Sequence, residues 1–466
     1  MTTKVKGAMI GTVLADGSTA PRTLEDRFAD TVNVKDFGAV GDGVADDTVA
    51  IQAALNYAQQ FTYPLVPAVY IPAGVYMVSN TITVPSYTNL FGDGYYSILQ
   101  VQHNLPAGSY SVLRIDSDGA NGVHLRNFSI WGENNQQANN PDVWALDIQP
   151  AAHAAIYNLF ENLYFKEMSS GSVRITQAGM DNSQFTNCMF RDSKGVAAFY
   201  STSMERVEII NCRIRSGKAG ICHGILLDGA GNRYNTIRGC RIDDNSGWAV
   251  VISNAQNHNL IEGNNFTSNA LGAIWVDRTA YTIINDNKVV AHVEGIKLES
   301  ADNTIISGNN LSGINGHAVQ IDDSDKGNVT GNILENGGTS TDALLHVTDS
   351  DYGVYAGNSI IDAQGHSIFF VSASRNNITG NTILNGGGNA LNAFSGIVLD
   401  SVSVGNVVTS NILTANTSAR LHSSILVGHA QCVDTVVVHN VLANFITNGV
   451  TDSGTGTVTT LTGNVT

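Results

Sequence analysis

The sequence predicts an all-β protein that folds as a parallel β-helix of about thirteen or more coils. A block of two aliphatic residues, Gly-Asn or an equivalent pair, a further aliphatic residue and an alternating strand repeats along the chain. Its asparagine stands at Asn264, Asn287, Asn309 and Asn332, a period of about 23 residues that is typical of solenoids. The spacing within one block leaves room for three short strands and no helix, which indicates a β-helix.

The recurring asparagine has a structural explanation. Downstream, the same position holds four more asparagines: Asn358, Asn381, Asn411 and Asn440. An asparagine stacked on the asparagine of the next coil can bond both that amide and the backbone of the turn. We therefore interpret the row as structural and not catalytic.

Composition agrees with a solenoid and argues against several partners. The 466 residues include 47 glycines, 8 prolines and only 14% charged side chains, which suits many turns on a β scaffold. A formal net charge of −16 argues against nucleic acid or an anionic membrane as a partner. The chain has no run of about 18 apolar residues and no apolar region behind its first residues, so we expect neither membrane insertion nor a signal peptide.

A helix is predicted near the N-terminus, ahead of the repeats. Asp46 or Asp47 can cap this helix. Its apolar face is predicted to consist of Val49, Ala50, Ala53, Ala54 and Ala58. A helix in this place covers the open end of the apolar stack and protects the first strand edge.

The N-terminal region carries a resemblance to a known family. The segment NVKDFGAVGDGVADDTVAIQAAL, followed by YIPAGVY and LFGDG, resembles the N-terminal cap of the pectate-lyase-like β-helix superfamily. The preceding PRTLEDRFADTVNVKDFGA is similar to the junction between attachment segment and helix in bacteriophage tailspikes. The resemblance implies a right-handed, single-stranded parallel β-helix with an N-terminal capping helix.

The resemblance and the repeats together divide the chain into four regions. We expect an N-terminal arm or virion-attachment segment at 1–33, a cap with the first coils at 34–95, the β-helix at 96–446 and a C-terminal tail at 447–466. Because the tailspikes of this superfamily are trimers, the resemblance implies a homotrimer that binds the phage tail or baseplate through the arm. The protein would then be located in the virion tail.

The resemblance also implies an activity. The superfamily consists mostly of polysaccharide lyases, glycoside hydrolases, epimerases and phage depolymerases. We therefore expect a depolymerase that hydrolyses glycosidic bonds of a bacterial surface polysaccharide, a capsule or lipopolysaccharide, with no cofactor or metal. The motif series of polygalacturonases, pectate lyases and alginate epimerases are absent. A lyase or epimerase that acts on a uronate glycan, and a non-catalytic receptor-binding spike, remain alternatives.

Three acidic residues are the candidate catalytic groups. Alternate side chains of each coil's first strand face outward, and Asp277, Glu299 and Asp322 take the same outward position on three consecutive coils, about 4.8 Å apart. Like charges in line repel, so a scaffold that keeps them favours a use for them. Glycosidic cleavage needs one carboxyl group to protonate the leaving oxygen and a second to attack or to activate water. The alternative is a solvated acidic face on an acidic protein.

Seven residues around these acids are candidate substrate-binding groups. They are Trp275, Arg278, Lys297, His292, His317, Gln320 and Asp323. Trp275 could stack on the face of a sugar ring, although a simple exposed aromatic on a sheet is an equally good interpretation.

A basic stripe on the third strand offers a competing site. It consists of Lys166, Arg191, Arg213, Arg215 and Arg241, with Asp192, Asp243 and Asp244 among them. Such a stripe could hold an anionic polysaccharide or neutralise a uronate for a lyase. Ion pairing or a subunit contact is the interpretation that we favour.

Overall fold

The fold is a right-handed parallel β-solenoid of about 14 turns with a helix near the N-terminus, which confirms the predicted fold class. The structure, a computed structural model, describes residues 12–13, 19–23, 26–27, 29–103, 105–132, 142–215, 220–255, 257–338, 343–386, 394–415, 421–443 and 445–454. The chain folds as two compact units, residues 1–191 and 192–466. A typical coil contributes one strand to each of three parallel sheets, which we call the first, second and third sheet in the order in which a coil visits them.

The unit of residues 1–191 contains the cap and the early coils. Its first sheet consists of Ile82–Thr83, Ser109–Ile115, Asp142–Ile148, Ala155–Ile156, Gly171–Ile175 and Met180–Asp181. Its second sheet consists of Thr31–Asn33, Ala68–Ile71, Asn89–Gly92, His124–Arg126, Leu159–Glu161 and Gln184–Thr186. Its third sheet consists of Asp42–Asp46, Gly74–Val78, Ser97–Val101, Ser129–Trp131, Tyr164–Lys166 and Met189–Arg191. A short antiparallel pair, Thr12–Val13 with Arg22–Thr23, precedes them.

The unit of residues 192–466 repeats the same pattern. Its first sheet consists of Ala197–Glu205, His223–Arg233, Trp248–Ser253, Gly272–Asp277, Glu294–Glu299, Val319–Asp322, Leu345–Thr348, Ile368–Val371, Ile397–Asp400, Leu421–Val427 and Phe445–Asp452. Its second sheet consists of Glu208–Ile210, Thr236–Arg238, Leu260–Glu262, Ile283–Asn285, Ile305–Ser307, Asn328–Thr330, Val354–Ala356, Asn377–Thr379, Val407–Thr409 and Val436–Val438. Its third sheet consists of Arg213–Arg215, Arg241–Asp243, Asn265–Thr267, Lys288–Val290, Asn310–Ser312, Ile333–Glu335, Ser359–Ile361, Thr382–Leu384, Ile412–Thr414 and Val441–Ala443.

The coils stack because each inward apolar side chain meets its equivalent one coil away. On the second sheet of the later unit, Ile261, Ile284 and Ile306 are in register, and all three are fully buried. Burial of such a side chain stabilises the fold by about 1.5–3 kcal/mol. The alternation of buried and outward residues along these short strands is the pattern that the sequence predicts.

The predicted asparagine row is present, and its structural interpretation is confirmed. Its members, each at most 2% exposed, are Asn264, Asn287, Asn309, Asn332, Asn358, Asn381, Asn411 and Asn440. Asn309 shows the pattern: its Nδ2 donates to Oδ1 of Asn332 at 3.0 Å and to the carbonyl oxygen of Ile284 at 2.9 Å. Its Oδ1 accepts hydrogen bonds from the backbone N and the Nδ2 of Asn287, both at 3.0 Å.

The capping helix is present at Thr48–Ala58, and its predicted apolar face was right at Ala54 and Ala58 but wrong at Val49, Ala50 and Ala53. Its buried residues are Thr48, Ile51, Ala54, Leu55 and Ala58, whereas Val49 is 79% exposed. Ile51 and Leu55, one turn apart, bury more apolar area than the alanines that the prediction placed inward. These two large side chains therefore set which face of the helix packs on the solenoid.

Asp46 and Asp47 are both held by the cap. Asp46 Oδ1 accepts hydrogen bonds from the backbone N and the Oγ1 of Thr48, at 3.0 and 2.5 Å, at the start of the helix. Asp47 is 1% exposed, and its carboxylate accepts from the backbone N of Val40 at 2.6 Å and of Gly41 at 3.2 Å. Burial raises the pKa of Asp47 despite these two bonds, which lower it. Both acids are therefore structural.

The ends of the solenoid extend past two predicted boundaries. The strand Thr31–Asn33 begins inside the predicted arm, and the strand Phe445–Asp452 includes the first residues of the predicted tail. Most of the predicted arm and residues 455–466 lie outside the described residues. Across the described ranges, no helix has the length and apolar character needed to cross a membrane.

Replacement of Asn309 by alanine should destabilise the solenoid, because it removes the acceptor of the Asn287 backbone N–H and of one Nδ2–H of Asn287, together with the side-chain donor to the carbonyl of Ile284. Each unsatisfied buried group costs about 1–3 kcal/mol, so we expect the free energy of unfolding to fall by about 2–4 kcal/mol. Denaturant unfolding followed by circular dichroism would measure the change. The exposed neighbour provides a matched control, since Asn310→Ala should change stability by less than about 0.5 kcal/mol. Equal losses in both variants would contradict the structural role of the row.

Candidate functional site

The first sheet of the later unit brings the three predicted catalytic acids together. The strands that carry them are Gly272–Asp277, Glu294–Glu299 and Val319–Asp322. They pair in parallel, and each acid is the last residue of its strand, so Asp277 faces Glu299 and Glu299 faces Asp322. Neighbouring strands in such a sheet lie about 4.8 Å apart. The acids therefore form a row along the axis of the coils.

The carboxylate of Asp277 accepts hydrogen bonds from other side chains of the protein. Its Oδ2 accepts hydrogen bonds from Nη2 and Nε of Arg278 at 2.7 and 3.0 Å, and from Oγ of Ser253 at 3.0 Å. The residue is only 6% exposed, whereas the side chain of Arg278 is 62% exposed. A carboxylate held in this way has little access to a substrate. Asp277 instead fixes the guanidinium of Arg278 at the surface.

Glu299 and Asp322 form the accessible pair. The side chain of Glu299 is 41% exposed, and its Oε2 lies 3.1 Å from Nζ of Lys297. Burial raises the pKa of Asp322, and the negative charge of Glu299 raises it further, while Lys297 acts in the opposite direction. A carboxyl group with a raised pKa beside a second, accessible carboxyl group is an arrangement that general acid–base chemistry uses.

Trp275 lies on the same outer face, two residues before Asp277. Its ring centroid is 6.0 Å from that of Trp248, and Nζ of Lys297 lies 5.8 Å from the Trp275 ring centroid. Trp248 fits there because Gly272 has no side chain: a Cβ at this position would lie 2.2 Å from the Trp248 ring. The two predicted substrate-binding residues Trp275 and Lys297 are thus held beside the acids.

The row that begins with Trp275 and Lys297 continues over three more coils with Gln320, His346 and Phe369. The rings of His346 and Phe369 stack with centroids 5.3 Å apart and planes 6° apart. Gln320 is among the predicted site residues, but His346 and Phe369 are not. The alternation and the coil period that place Trp275 in this row also place these two, so the sequence contains the signal for them.

His317 reaches this row from the preceding turn. Its Nδ1 lies 2.7 Å from the carbonyl oxygen of Ala343, so in the neutral ring Nδ1 carries the proton and Nε2 is an acceptor. That Nε2 lies 3.3 Å from Nδ1 of His346, and the two ring centroids are 4.7 Å apart. The structure therefore places the two histidines together, on the coils that carry Asp322 and the next one.

His292, predicted to contact substrate from a variable turn, lies inside the coil. It is 2% exposed, and its Nδ1 lies 3.3 Å from the carbonyl oxygen of Asn269. Burial lowers the pKa of this imidazole. The prediction was wrong because it took the side chains of the turn to face outward. Asn245 and Asn269 already form an inward polar row in this turn, and His292 continues that row.

The two remaining predicted residues, Arg278 and Asp323, directly follow an acid in the turn. Both have positive φ, at 48° and 46°. Asp323 is exposed, and its Oδ2 accepts a hydrogen bond from Oγ of Ser300 at 3.1 Å. Both side chains thus lie at the rim of the acid pair, where a ligand has access to them.

The basic stripe is largely neutralised by ion pairs. In the later unit, Arg215 pairs with Asp244 at 2.8 Å. Arg213 and Arg241 both pair with Asp243, at 3.7 and 3.3 Å. These contacts agree with the ion-pair interpretation. In the part of the chain that the structure describes, no group of three or more His, Cys, Asp or Glu side chains is arranged to hold a metal ion.

Two family models match the chain. Residues 31–136 match the model described as rhamnogalacturonase A/epimerase, pectate lyase-like. Residues 113–289 and 273–466 match the model of the right-handed β-helix region, and these matches cover more than half of the chain. The chain belongs to the right-handed β-helix family. The match at residues 31–136 covers the capping segment and confirms the resemblance to pectate-lyase-like proteins.

Relatives of this β-helix protein include a phage tail protein and an epimerase. The tail spike protein of Shigella phage Sf6 is 29% identical over 186 residues, which is 39% of this chain and 28% of that protein. The mannuronan C5-epimerase AlgE1 of Azotobacter vinelandii is 46% identical over 69 residues, which is 13% of this chain and 5% of that protein. The chain thus spans well under two thirds of the length of either relative.

Two solved phage structures share the fold of this β-helix protein. Pre-mature gene product 12 of bacteriophage phi29 matches with a TM-score of 0.61 and 18% identity, over 91% of this chain and 56% of that one. Tailspike protein 3 of bacteriophage CBA120 matches with a TM-score of 0.53 and 15% identity, over 92% of this chain and 64% of that one. At these identities the likeness establishes the common fold.

The pKa of Asp322 should fall when Glu299 is replaced by glutamine, because the charge of Glu299 is one of the causes that raise it. Lys297→Met should have the opposite effect, since Lys297 lowers this pKa. Carboxyl-carbon NMR titration of Asp-labelled protein would measure both shifts. Glu262→Gln, on the second sheet of the same unit, is the control and should leave the pKa of Asp322 unchanged. An unchanged titration in Glu299→Gln would show that the two carboxyl groups do not interact.

Proposed function

We propose that this protein is a phage tailspike-type depolymerase that hydrolyses glycosidic bonds of a bacterial surface polysaccharide, either a capsule or a lipopolysaccharide. The observation that carries the proposal is the accessible pair of Glu299 and Asp322, in which burial and the neighbouring charge raise the pKa of Asp322. A raised pKa favours the protonated form of a carboxyl group, which is the form that protonates a leaving glycosidic oxygen. The relative named as a tail spike protein supports a role in a phage tail.

In the proposed mechanism, Asp322 is the general acid and Glu299 the nucleophile. Asp322 gives its proton to the glycosidic oxygen as the bond to the anomeric carbon breaks, and Glu299 forms a bond to that carbon. Adjacent coils lie about 4.8 Å apart, close to the separation of about 5–5.5 Å in retaining enzymes and below the about 6.5–9.5 Å of inverting ones. Water then attacks the glycosyl–enzyme ester, with Asp322 now acting as the base.

The glycan is proposed to lie along the row of outward side chains beside the acids. This row consists of Trp275, Lys297, Gln320, His346 and Phe369. Four coil spacings give it a length of about 19 Å, enough for several sugar units. Aromatic rings offer apolar faces for sugar rings, while the amide and imidazole groups can bond hydroxyls.

A lyase or epimerase that acts on a uronate glycan is the second candidate, and two cations favour it. Arg278 and Lys297 lie beside the acids and could neutralise the uronate carboxylate. His317 or His346 could then remove the proton from C5. A lyase would eject the oxygen at C4 and form a C4–C5 double bond, whereas an epimerase would return a proton to the opposite face. The relative named as a mannuronan epimerase supports this candidate.

Glu299→Gln and Asp322→Asn should each lower turnover by about 10²–10⁴-fold, because each removes one partner of the pair. Release of reducing ends from a panel of bacterial capsules and lipopolysaccharides, with mass spectrometry of the products, would measure the loss. The melting temperature of Asp322→Asn at pH 7 should stay equal or rise. A raised pKa in the folded state means that stability is lost as pH rises through that pKa, and the amide does not ionise.

Two further variants sharpen this test. Asp277→Asn should lower turnover less than the changes at Glu299 and Asp322, since Asp277 acts through Arg278. Asp244→Asn, on the basic stripe, is the matched acidic control and should retain full turnover. If Asp244→Asn abolishes cleavage while the variants of the acid pair stay active, the site lies on the basic stripe.

The same panel separates the reaction classes. A hydrolase should release reducing ends without a new ultraviolet absorbance, whereas a lyase should release unsaturated uronate, whose conjugated double bond absorbs in the ultraviolet. An epimerase should change neither reading but exchange the C5 proton in deuterated water. A glycan that binds and is not altered would instead support a non-catalytic receptor-binding spike.

We also propose that the protein is a homotrimer attached to the phage tail or baseplate through residues 1–33, within the virion tail. The similarity to a tail spike protein supports the location in a phage tail, and the trimer is what the resemblance of the N-terminal region to tailspikes implies. Light scattering of the full chain at micromolar concentration should give the mass of three chains. A mass of one chain would contradict the proposed homotrimer.

A further inference from the structure

The unit of residues 1–191 contains a cleft that the proposed active site does not use, and we propose that this cleft binds one neutral pyranose unit of a glycan. Its volume is about 460 Å³, within the range of about 300–1,000 Å³ for ligand pockets. The lining of the cleft includes Tyr63, Tyr87, Asn121, Gly122 and Tyr157. The inference does not depend on the chemistry proposed for the acid pair.

The cleft arises at a repeated position of the turn that precedes the second sheet. Tyr87, Gly122 and Tyr157 each stand two residues before a strand of that sheet, on three successive coils, and have φ of 58°, 61° and 55°. Backbone hydrogen bonds join these turns, from N of Tyr87 to O of Asn121 and from N of Gly122 to O of Ile156. Because one coil rises about 4.8 Å, the backbones at Tyr87 and Tyr157 are about 9.6 Å apart.

The glycine opens this space. A Cβ at Gly122 would lie 3.3 Å from Cδ1 of Tyr87, so a side chain there would contact the Tyr87 ring. In the unit of residues 192–466 the equivalent turn position holds Tyr234, His258 and Tyr281, whose rings stack at 5.1 and 5.2 Å with planes 16° and 3° apart. On these three successive coils a ring is present at each turn, whereas other coils of that unit hold residues such as Asn303, Lys326 or Gly405 at this position. At Gly122 one ring of such a stack is missing, which leaves a slot of the height of one ring.

A pyranose ring matches the chemistry of the slot. Its C–H faces are apolar and can pack on aromatic rings, while its hydroxyls point outward from the ring edge. Tyr63, Tyr87 and Tyr157 are 65%, 38% and 68% exposed, so their rings are accessible to a ligand that enters the cleft. Asn121 adds a side-chain amide to the lining, and its Oδ1 is buried without a hydrogen-bond partner among the described residues.

The lining also selects against charged sugars. The residues that form the cleft include no Asp, Glu, Lys, Arg or His within the described chain. A uronate or a phosphorylated sugar would therefore lose hydration without gaining an ion pair, whereas a neutral hexose would not. Tyr63 packs on Tyr87 with ring centroids 4.7 Å apart, which holds the Tyr87 ring in place before a ligand enters.

The proposal is tested by direct binding to the full-length Glu299→Gln protein, in which the proposed hydrolysis is removed. The probes are the methyl α-pyranosides of glucose, galactose, mannose and rhamnose, with methyl glucuronoside as the charged comparison. Saturation-transfer NMR and calorimetry should detect at least one neutral pyranoside with a dissociation constant on the order of millimolar, and no binding of the glucuronoside.

Gly122→Tyr should abolish this binding, because it supplies the missing ring. It should keep the fold with a modest fall in melting temperature: a side chain at φ of 61° is strained and its Cβ lies 3.3 Å from the Tyr87 ring, but tyrosine already adopts positive φ at Tyr87 and Tyr157. Tyr157→Ala should weaken binding at least about ten-fold, as expected for the loss of one stacking face. Tyr96→Ala, 77% exposed in the same unit and outside the cleft, is the control and should leave affinity unchanged.

Three results would overturn the proposal. The first is the absence of binding by all four neutral pyranosides. The second is binding that persists in Gly122→Tyr or that Tyr96→Ala abolishes. The third is a change of oligomeric mass in Gly122→Tyr, which would show that the slot receives a side chain of a second copy of the chain. Because binding is measured without cleavage, failure here leaves the test of the acid pair unaffected.

Discussion

The register between successive coils is the constraint on which the rest of the structure depends. A shift of one residue would turn every buried side chain of a strand to the outside. The inward asparagines oppose such a shift, because each amide bonds the next amide and the backbone on both sides of it, as Asn309 does with Asn287 and Asn332. With the register fixed, equivalent side chains on the outer face are held about 4.8 Å apart. The row of acids and the row of rings are both results of this spacing.

The sequence alone predicts those features that follow from the repeat period of the coils and from the alternation of inward and outward side chains. The fold, the asparagine row and the alignment of Asp277, Glu299 and Asp322 all depend on counting residues, and Phe369 could have been found by the same count. Counting does not reveal which partner a side chain chooses. The side-chain torsions of Asp277 let it accept hydrogen bonds from Arg278 and Ser253. These hydrogen bonds distinguish Asp277 from Glu299, which holds the equivalent position by residue count. His292 differs for another reason, since the inward row of Asn245 and Asn269 that it continues is recognised from contacts between coils and not from apolar alternation.

The turns of this scaffold accept a wider range of residue types than its strands do. Left-handed backbone is uncommon for residues other than glycine, asparagine and aspartate, yet tyrosine, arginine and histidine adopt it repeatedly before the second sheet. Backbone hydrogen bonds between coils hold these conformations. The residue type at each such position can therefore vary and can determine what the surface of the turn binds. The same position therefore holds a tyrosine at Tyr157, a histidine at His258 and a glycine at Gly122. A change of one residue there alters the surface without altering the coil.

Each asparagine of the row donates a hydrogen bond to the next member of the row along the chain. The pattern of hydrogen bonds would therefore survive the removal of one whole coil. At one end Oδ1 of Asn264 accepts from the backbone N of Cys240, and at the other Nδ2 of Asn440 donates to the carbonyls of Val408 and Val438. Excision of residues 288–309 would take out one donor and one acceptor together, and Asn287 would meet Asn332 with the bonds that it now makes to Asn309. That excision would also remove Glu299 and bring Asp277 beside Asp322. Recombination between coils could thus change the length of the solenoid and the chemistry of its surface in a single genetic event.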